Sequence, residues 1–281
     1  MAEDFAPSEA DILFYEAHGW WLAPPFLSDS LIDTLRYGVD RLLAGEVDQP
    51  LAVDIGDGLR PEGITQIDYV SLRIQEFMEV MVESPVGRIA AALARTPSVR
   101  LFHDQLVVKP PLGSTRSSDR TGRVGWHTDK AYWTTCRSND MITAWIPLED
   151  VTEENGTLAV WDGSHRWPEV ERLHTFGDGD LEAVERAYRD RGLLPEIRLL
   201  PMGRGQVSFH HCRLVHGGYA NRTDQPRVAY AIHMQDEANR FVRDRAGRGG
   251  HVNDLLCART PEDLPDYTDP AVFPQLWPKA N

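Results

Sequence analysis

Two hydrophobic rhythms divide this chain near Val99. Before it, apolar residues recur at spacings of three and four, the period of helices with one buried face. Leu31, Ile32, Leu35, Val39, Leu42 and Leu43 keep that spacing after Ser28-Asp29, and Gly45 marks the stop. Ser8-Glu9-Ala10-Asp11 predicts an earlier helix start, closed by Gly19. Ser84-Pro85 opens a third helix that buries Ile89, Ala90 and Leu93. From Val99 onward the pattern changes to short apolar runs: VRLFHDQLVV, MITAWIPL, TLAVW, EIRLL, QVSFHH, RLVH and RVAYAIHM. Short strands separated by turns predict a barrel or sandwich. Residues 166–195 interrupt them with one polar helix, LEAVERAYRDRG, and read as an insertion. The expected organisation is one domain over 1–281: helical support in 1–98, a β core in 99–235 and a tail in 236–281. There is no internal repeat or low-complexity tract.

Composition narrows the function classes. The 281 residues suffice for a substantial core. A net charge of -14 argues against nucleic acid, whose phosphates need a basic face. The local basic runs RLLPMGRGQ and RFVRDRAGRGGH read as solvated surface, the second with the alternative of meeting an anionic substrate. No apolar run approaches a membrane span, so no membrane partner is expected. MAEDFAPSEADI lacks the basic-then-apolar order of a signal peptide. The three cysteines, Cys136, Cys212 and Cys257, form no C-x-x-C pair and imply no disulfide framework. These features predict a cytoplasmic protein. No sustained heptad argues for a coiled-coil dimer, so a monomer or weak homo-oligomer is expected.

The chemistry-bearing pattern is His127-Thr128-Asp129, answered 87 residues after Asp129 by His216. A His-x-Asp pair with one distant His is the ligand set of the 2-His-1-carboxylate triad, which holds one face of a non-haem Fe(II) and leaves the others open. On a strand, residues i and i+2 share a face, so His127 and Asp129 can reach one metal while Thr128 points away. The tripeptide alone fits a polar surface turn equally well. Four histidines compete for the distal position: His210, His211, His216 and His233. His216 is preferred because Arg227 follows eleven residues on, across the turn-rich GGYANRTDQP. The runs on either side read as a hairpin that sets Arg227 near His216. Arg offers a planar fork matched to a carboxylate, which a dicarboxylate cosubstrate beside the metal requires. The alternative for Arg227 is a solvent-facing strand position.

These stretches together resemble the phytanoyl-CoA dioxygenase family of Fe(II)/2-oxoglutarate oxygenases over most of the chain. FYEAHGWWLAPPFLSDSLIDTL, FHDQLVVKPP, GWHTDKAY, ITAWIPLEDVTEENGTLAVWDGSHRW and LVHGGYANRTDQPR occur in the family's order. The resemblance implies a mainly β fold with flanking helices around a double-stranded β-helix, or jelly roll, core. It implies His127, Asp129 and His216 as iron ligands and Arg227 as the partner of the far carboxylate of 2-oxoglutarate. Trp145 and Thr143 are implied along the cosubstrate pocket, with Gln105 and Lys109 as further contacts. Asn221 matches a loop Asn that ties down its turn. One departure is Gly218, where many relatives carry a Ser that bonds the cosubstrate. The implied cofactors are Fe(II), 2-oxoglutarate and O2, and the implied reaction is hydroxylation of an unactivated C–H bond with release of succinate and CO2. Asp129 speaks against halogenation, for which family members place a small residue there. Desaturation, cyclisation and epimerisation use the same ligands. Outside the class stand an O2-independent cupin-type isomerase or hydrolase and a jelly roll with a vestigial site.

The partner is expected to be a small molecule, a specialised metabolite or amino-acid derivative. Substrate-facing segments are expected at 46–75, 112–124, 130–140 and 236–260, with Tyr132, Trp133, Arg137 and His103 as contacts. PPLGSTRSSDRTGR reads as a lid over the pocket. His165 in DGSH is explained by a turn hydrogen bond, and His103-Asp104, being adjacent, face opposite sides of a strand.

Overall fold

The computed structural model describes residues 5–55, 63–113, 122–244, 247 and 250–279. Its N-terminal third is helical. Helix α1 (Glu9–His18) starts on Ser8, whose hydroxyl accepts from the Asp11 N–H while the Asp11 carboxylate accepts from the Ser8 N–H. This reciprocal pair satisfies two amides that a helix start leaves open. Gly19 ends α1 at φ +78, a conformation that Gly alone adopts without strain. After β1 (Trp20–Leu22), α2 (Asp29–Leu43) is capped by Ser28. Then come β2 (Thr65–Asp68), α3 (Gln75–Glu83) and α4 (Val86–Leu93). The sequence pattern named α1, α2 and α4 but neither α3 nor the short β1 and β2.

The remaining elements are β3 (Val99–Lys109), β4 (Val124–His127), β5 (Ile142–Pro147), β6 (Leu158–Trp161), α5 (Leu181–Arg189) and β7 (Ile197–Leu200). They are followed by β8 (Ser208–His211), β9 (His216–Gly218), β10 (Arg227–Asp236), α6 (Asn253–Leu256) and β11 (Gln275–Trp277). A major sheet runs β1-β8-β5-β10-β3-β11, with β2 also on β3, and a minor sheet runs β4-β9-β6-β7. Between β3 and β10 the chain passes repeatedly from one sheet to the other. All pairings are antiparallel, and this is the jelly roll expected.

Alternation along the strands divides their side chains between two environments. On β10, Tyr230 and Ile232 join Ile32, Leu35, Phe77 and Ile89 in the core under the helices. Ala229 and Ala231 instead face the space between the sheets, where Trp145, Leu158 and Val160 pack. On β3 the alternation is broken once. Met234 pairs with Leu101 and His233 with His103, so Phe102 is an extra residue in the ladder. The bulge lets Leu101 and Leu106 both face the helices although they stand an odd number apart. It also puts His103 on the inner face together with Gln105 and Lys109.

One expectation needs correction. LVH and VAYAI do not form a hairpin: β9 belongs to the minor sheet and β10 to the major. The turn between them crosses from one sheet to the other, because the inner faces of both sheets must close on one interior. Asn221 fixes that crossing, donating to the carbonyl of Gln225 at 2.7 Å and accepting from the Thr223 N–H. Residues 114–121 of the expected lid, and 245, 246, 248 and 249 of the basic tail run, lie outside the described residues.

Candidate metal centre and cosubstrate site

The centre lies between the sheets, where β4 and β9 meet. His127 pairs with His216 across this ladder, and their rings stand 4.2 Å apart. His127 is the last residue of β4; Thr128 stays extended and Asp129 begins a tight turn. The alternation expected of a strand thus holds as far as Asp129, and the chain then bends away. Ligand atoms of His127, Asp129 and His216 lie within 4.8 Å of one another, all three residues buried. Each histidine is aimed by its own backbone. His127 Nδ1 donates to the Gly125 carbonyl at 2.8 Å and His216 Nδ1 to that of Leu214 at 3.0 Å. Both rings therefore turn an unprotonated Nε2 inward, the atom a metal takes. Burial, then the neighbouring His216, push His127 down to about 3, and burial, then His210, push His216 down to about 4.

Asp129 faces two ways. Its Oδ1 stands 3.5 Å from His216 Nε2, on the metal side. Its Oδ2 accepts from Thr143 Oγ1 at 2.6 Å and has His210 Nε2 at 3.4 Å and His233 Nδ1 at 3.6 Å. The Thr143 proton is committed to Asp129, so the 2.8 Å contact to His233 Nδ1 is one in which Thr143 accepts. Burial works to raise the Asp129 carboxyl, yet the surrounding histidines hold it well below the usual range. The register explains the gathering. His103, His233, Thr143 and His210 occupy one row across β3, β10, β5 and β8. Directly opposed residues in an antiparallel sheet point the same way. His210 and His233, weighed as distal ligands from sequence, thus stand beside the carboxylate instead.

A second row carries two buried basic side chains. Arg227 and Lys109 are cross-strand partners and both are buried. The Arg227 guanidinium lies 5.1 Å over the Trp145 ring. Among the described residues its Nε and Nη1 have no hydrogen-bond partner, although a buried N–H normally finds one. Burial, opposed by Glu149, pushes Arg227 down to about 10, and burial, then the Arg227 charge, push Lys109 well down. Lys109 Nζ donates to the carbonyls of Gly156, at 3.3 Å, and Tyr219. Two cations and two orphaned donors line the same cavity as the triad, and a carboxylate fits them. The Gly218 departure also finds its reason here. A Cβ on Gly218 would meet Lys109 Nζ at 2.8 Å, so the glycine makes room for the ammonium.

The other expected residues are placed as follows. Gln105 borders both this cavity and an adjoining chamber of about 490 Å3. His103, Tyr132 and Trp133 line that chamber; Arg137 is exposed on a separate cleft with Lys130 and Arg243. His165 bonds the Glu16 carbonyl at 3.2 Å, and the three cysteines are buried and free. Asp68, Tyr69, Phe176 and His251 also line the chamber and were not singled out from sequence. Asp68, Tyr69 and His251 fall in segments expected to face substrate; Phe176 comes from the insertion, which gave no such signal.

The fold and site define a class: a jelly roll with a buried His-x-Asp…His centre beside a cation pair, a donor set that iron and 2-oxoglutarate both fit. The Phytanoyl-CoA dioxygenase (PhyH) family profile matches residues 15–229, and the chain belongs to that family. The peroxisomal phytanoyl-CoA dioxygenase of Bos taurus is 26% identical over 239 residues, covering 82% of this chain and 68% of its own. The non-heme alpha ketoglutarate dependent carbocyclase SnoK from nogalamycin biosynthesis superposes with a TM-score of 0.72 at 24% identity, covering 98% of each chain. The epimerase SnoN, in complex with Fe3+, alpha ketoglutarate and nogalamycin RO, gives 0.70 at 21%, covering 95% of this chain and 98% of its own. No helix among the described residues is long and apolar enough to cross a membrane.

Proposed function

We propose that this protein is an Fe(II)- and 2-oxoglutarate-dependent dioxygenase that hydroxylates an unactivated C–H bond of a small metabolite. The observation that carries this reading is the Arg227–Lys109 pair, buried with unpartnered guanidinium N–H groups, in one cavity with His127, Asp129 and His216. An O2-independent cupin-type enzyme has no use for that cation pair. A vestigial site would not keep every donor in place.

His127, Asp129 and His216 would hold the iron, which when bound supplies oxygen activation coupled to conversion of 2-oxoglutarate to succinate and CO2. Arg227 binds the far carboxylate of the cosubstrate through Nε and Nη1, and Lys109 adds a second positive charge. Trp145 holds the guanidinium plane from below, and Thr143 reaches the centre through Asp129. Thr143 bonds Asp129 Oδ2, with His210 and His233 close beside that oxygen, which leaves Oδ1 for the metal. Gln105 stands between cosubstrate and substrate spaces. Tyr132, Trp133 and His103 border the substrate. These roles use the geometry as it stands and require no rearrangement of the sheets.

The first test is anaerobic addition of Fe(II) and then 2-oxoglutarate to the apoprotein. The expected result is the weak visible charge-transfer band of the chelated metal, lost in His216→Ala. A metal-loaded protein without the band would sink the cosubstrate assignment. With substrate in hand, incorporation of one 18O atom from 18O2 is the hydroxylation outcome. A product two mass units lighter than the substrate would move the reading to cyclisation or desaturation, and an unchanged mass to epimerisation.

A further inference from the structure

Beside the metal ligands opens a chamber of about 490 Å3, within the range of pockets that enclose metabolite-sized ligands. Its wall is made by β2, which adds to the edge of β3 and sets Asp68 directly opposite Gln105. Gln105 Nε2 donates to Asp68 Oδ1 at 2.9 Å, and His103 Nε2 stands 3.5 Å from the same oxygen. Both contacts fall on Oδ1; among the described residues no partner sits on Oδ2. Nor is His103 satisfied: it is 5% exposed, and among the described residues its Nδ1 has no hydrogen-bond partner. Burial works to raise the Asp68 carboxyl, but the hydrogen bond and charge of His103, the bond from Gln105 and the charge of His251 hold it low. The group is an anion with one oxygen to spare.

The rest of the chamber is matched to a positive ligand. Among the described residues that line it there is no Lys or Arg, and the only carboxylates are Asp68 and the triad's Asp129. Asp129 is engaged by its own donors, so Asp68 sets the sign of the field that a substrate meets. Trp133, Tyr132 and Phe176 supply flat apolar walls, and aromatic faces attract an organic cation as well as a ring. An anionic substrate would face a carboxylate of like charge across a partly enclosed space, which disfavours it. A neutral substrate would bring no positive charge to Asp68 Oδ2, the oxygen that His103 and Gln105 leave open.

We infer that Asp68 is the substrate-recognition residue of this site and that the substrate is a compact, ring-bearing molecule carrying a protonated amine. The amine sits on Asp68 Oδ2, and the ring lies along the aromatic wall toward the His-Asp-His centre. Gln105 and His103 are positioning residues that hold the carboxylate. This inference rests on the oxygenase reading for where the reacting carbon goes, but the charge preference of the chamber stands apart from it.

The test uses the full chain, loaded anaerobically with Fe(II) and 2-oxoglutarate, and three probes of one shape: 2-phenylethylamine, 2-phenylethanol and 3-phenylpropionate. Binding is read from the shift of the visible band and from tryptophan fluorescence. The expected result is that the amine binds at least tenfold more tightly than the propionate, with the alcohol between them. Asp68→Asn should weaken the amine at least tenfold and erase the preference, with the band before probe addition showing that the variant is folded and loaded. Propionate binding as tightly as the amine in the wild type overturns the inference, whatever the variant does. So does an unchanged amine affinity in Asp68→Asn, or no response to any probe at 10 mM. Absence of the band in the wild type would count against the cosubstrate reading alone, because fluorescence still reports the order of the three probes.

Discussion

The decisive residue of the centre is Asp129, because its two oxygens do different work. Oδ1 faces His216 Nε2 at 3.5 Å, and Oδ2 is held by Thr143 at 2.6 Å with two imidazoles behind it. Groups that orient a ligand carboxylate commonly account for 10–100-fold in metal affinity. Thr143→Val should therefore weaken Fe(II) binding by about 10–100-fold in an anaerobic titration, and Thr143→Ser should restore it. Equal affinity in the Val variant would reduce Thr143 to a packing residue. Arg227 makes a separable prediction. Hydrogen bonds to charged groups contribute roughly 1.5–3 kcal/mol, so Arg227→Ala should raise the 2-oxoglutarate concentration needed by about 10–100-fold. Metal affinity should stay unchanged, since Arg227 does not touch the triad. Gly218→Ser tests the same subsite by crowding. The new Cβ falls 2.8 Å from Lys109 Nζ, so the cosubstrate requirement should rise even though the substitution adds a hydroxyl. A lower requirement would mean that Lys109 yields and the hydroxyl replaces it.

At the scale of elements, α1 shows how a local signal becomes a tertiary constraint. Gly19 closes the helix at φ +78, and a Cβ there would run into the His165 ring. That ring sits on the turn after β6 and bonds back to the Glu16 carbonyl. Gly19→Ala therefore meets both backbone strain, about 1–2 kcal/mol, and a clash; a fall in melting temperature of roughly 5 °C is expected. His165 also carries a pH dependence. Burial, then the His211 charge, push it down to about 4 in the folded chain. Between that value and the ordinary histidine range the unfolded chain binds the proton and the folded one does not, so stability falls as pH drops from 7 to 4. His165→Gln should flatten part of that slope in urea melts. An unchanged slope would assign it to other groups. The caps of α1 and α2 were legible because capping is a local chemistry of a few adjacent residues. So were the strands that carry Thr143, Trp145 and Arg227, whose short apolar runs are written in the sequence. The bulge at Phe102 was not, because it appears only when β3 is laid against β10. The hairpin reading failed for the same reason: neighbours in sequence, β9 and β10, belong to different sheets. That His127, Asp129 and His216 would be brought together could be read from their spacing and from the resemblance. Asp68 and His251 could not, because only the pairing of β2 with β3 and the course of the tail bring them to the chamber.

At the scale of the molecule, the two sheets enclose donors that the described residues leave unpartnered, with Glu149 the charge that opposes Arg227. Arg227 keeps two N–H groups unpartnered among the described residues, and Lys109 lies beside it, pushed well down by burial and then by the Arg227 charge. Buried polar groups left unpaired cost free energy, so the apoprotein should be less stable than its fold allows. Ligands that bind only the folded state return that stability by mass action, about 2.7 kcal/mol at a hundredfold excess over Kd. For a chain of this size, melting should rise by roughly 5 °C or more when Fe(II) and 2-oxoglutarate are added together without oxygen. Removing the charge should act in the opposite sense on the two states. Arg227→Met keeps the apolar stem over Trp145 and deletes the orphaned donors. Its apoprotein should melt at or above the wild-type temperature, while the 2-oxoglutarate-dependent rise should largely disappear and the metal-dependent rise remain. If the apo variant instead melts well below the wild type, the guanidinium is a structural tie, and the resting site is already balanced without a cosubstrate. The sign of that one change thus tells whether this interior was built to be stable on its own or to be completed by a dicarboxylate.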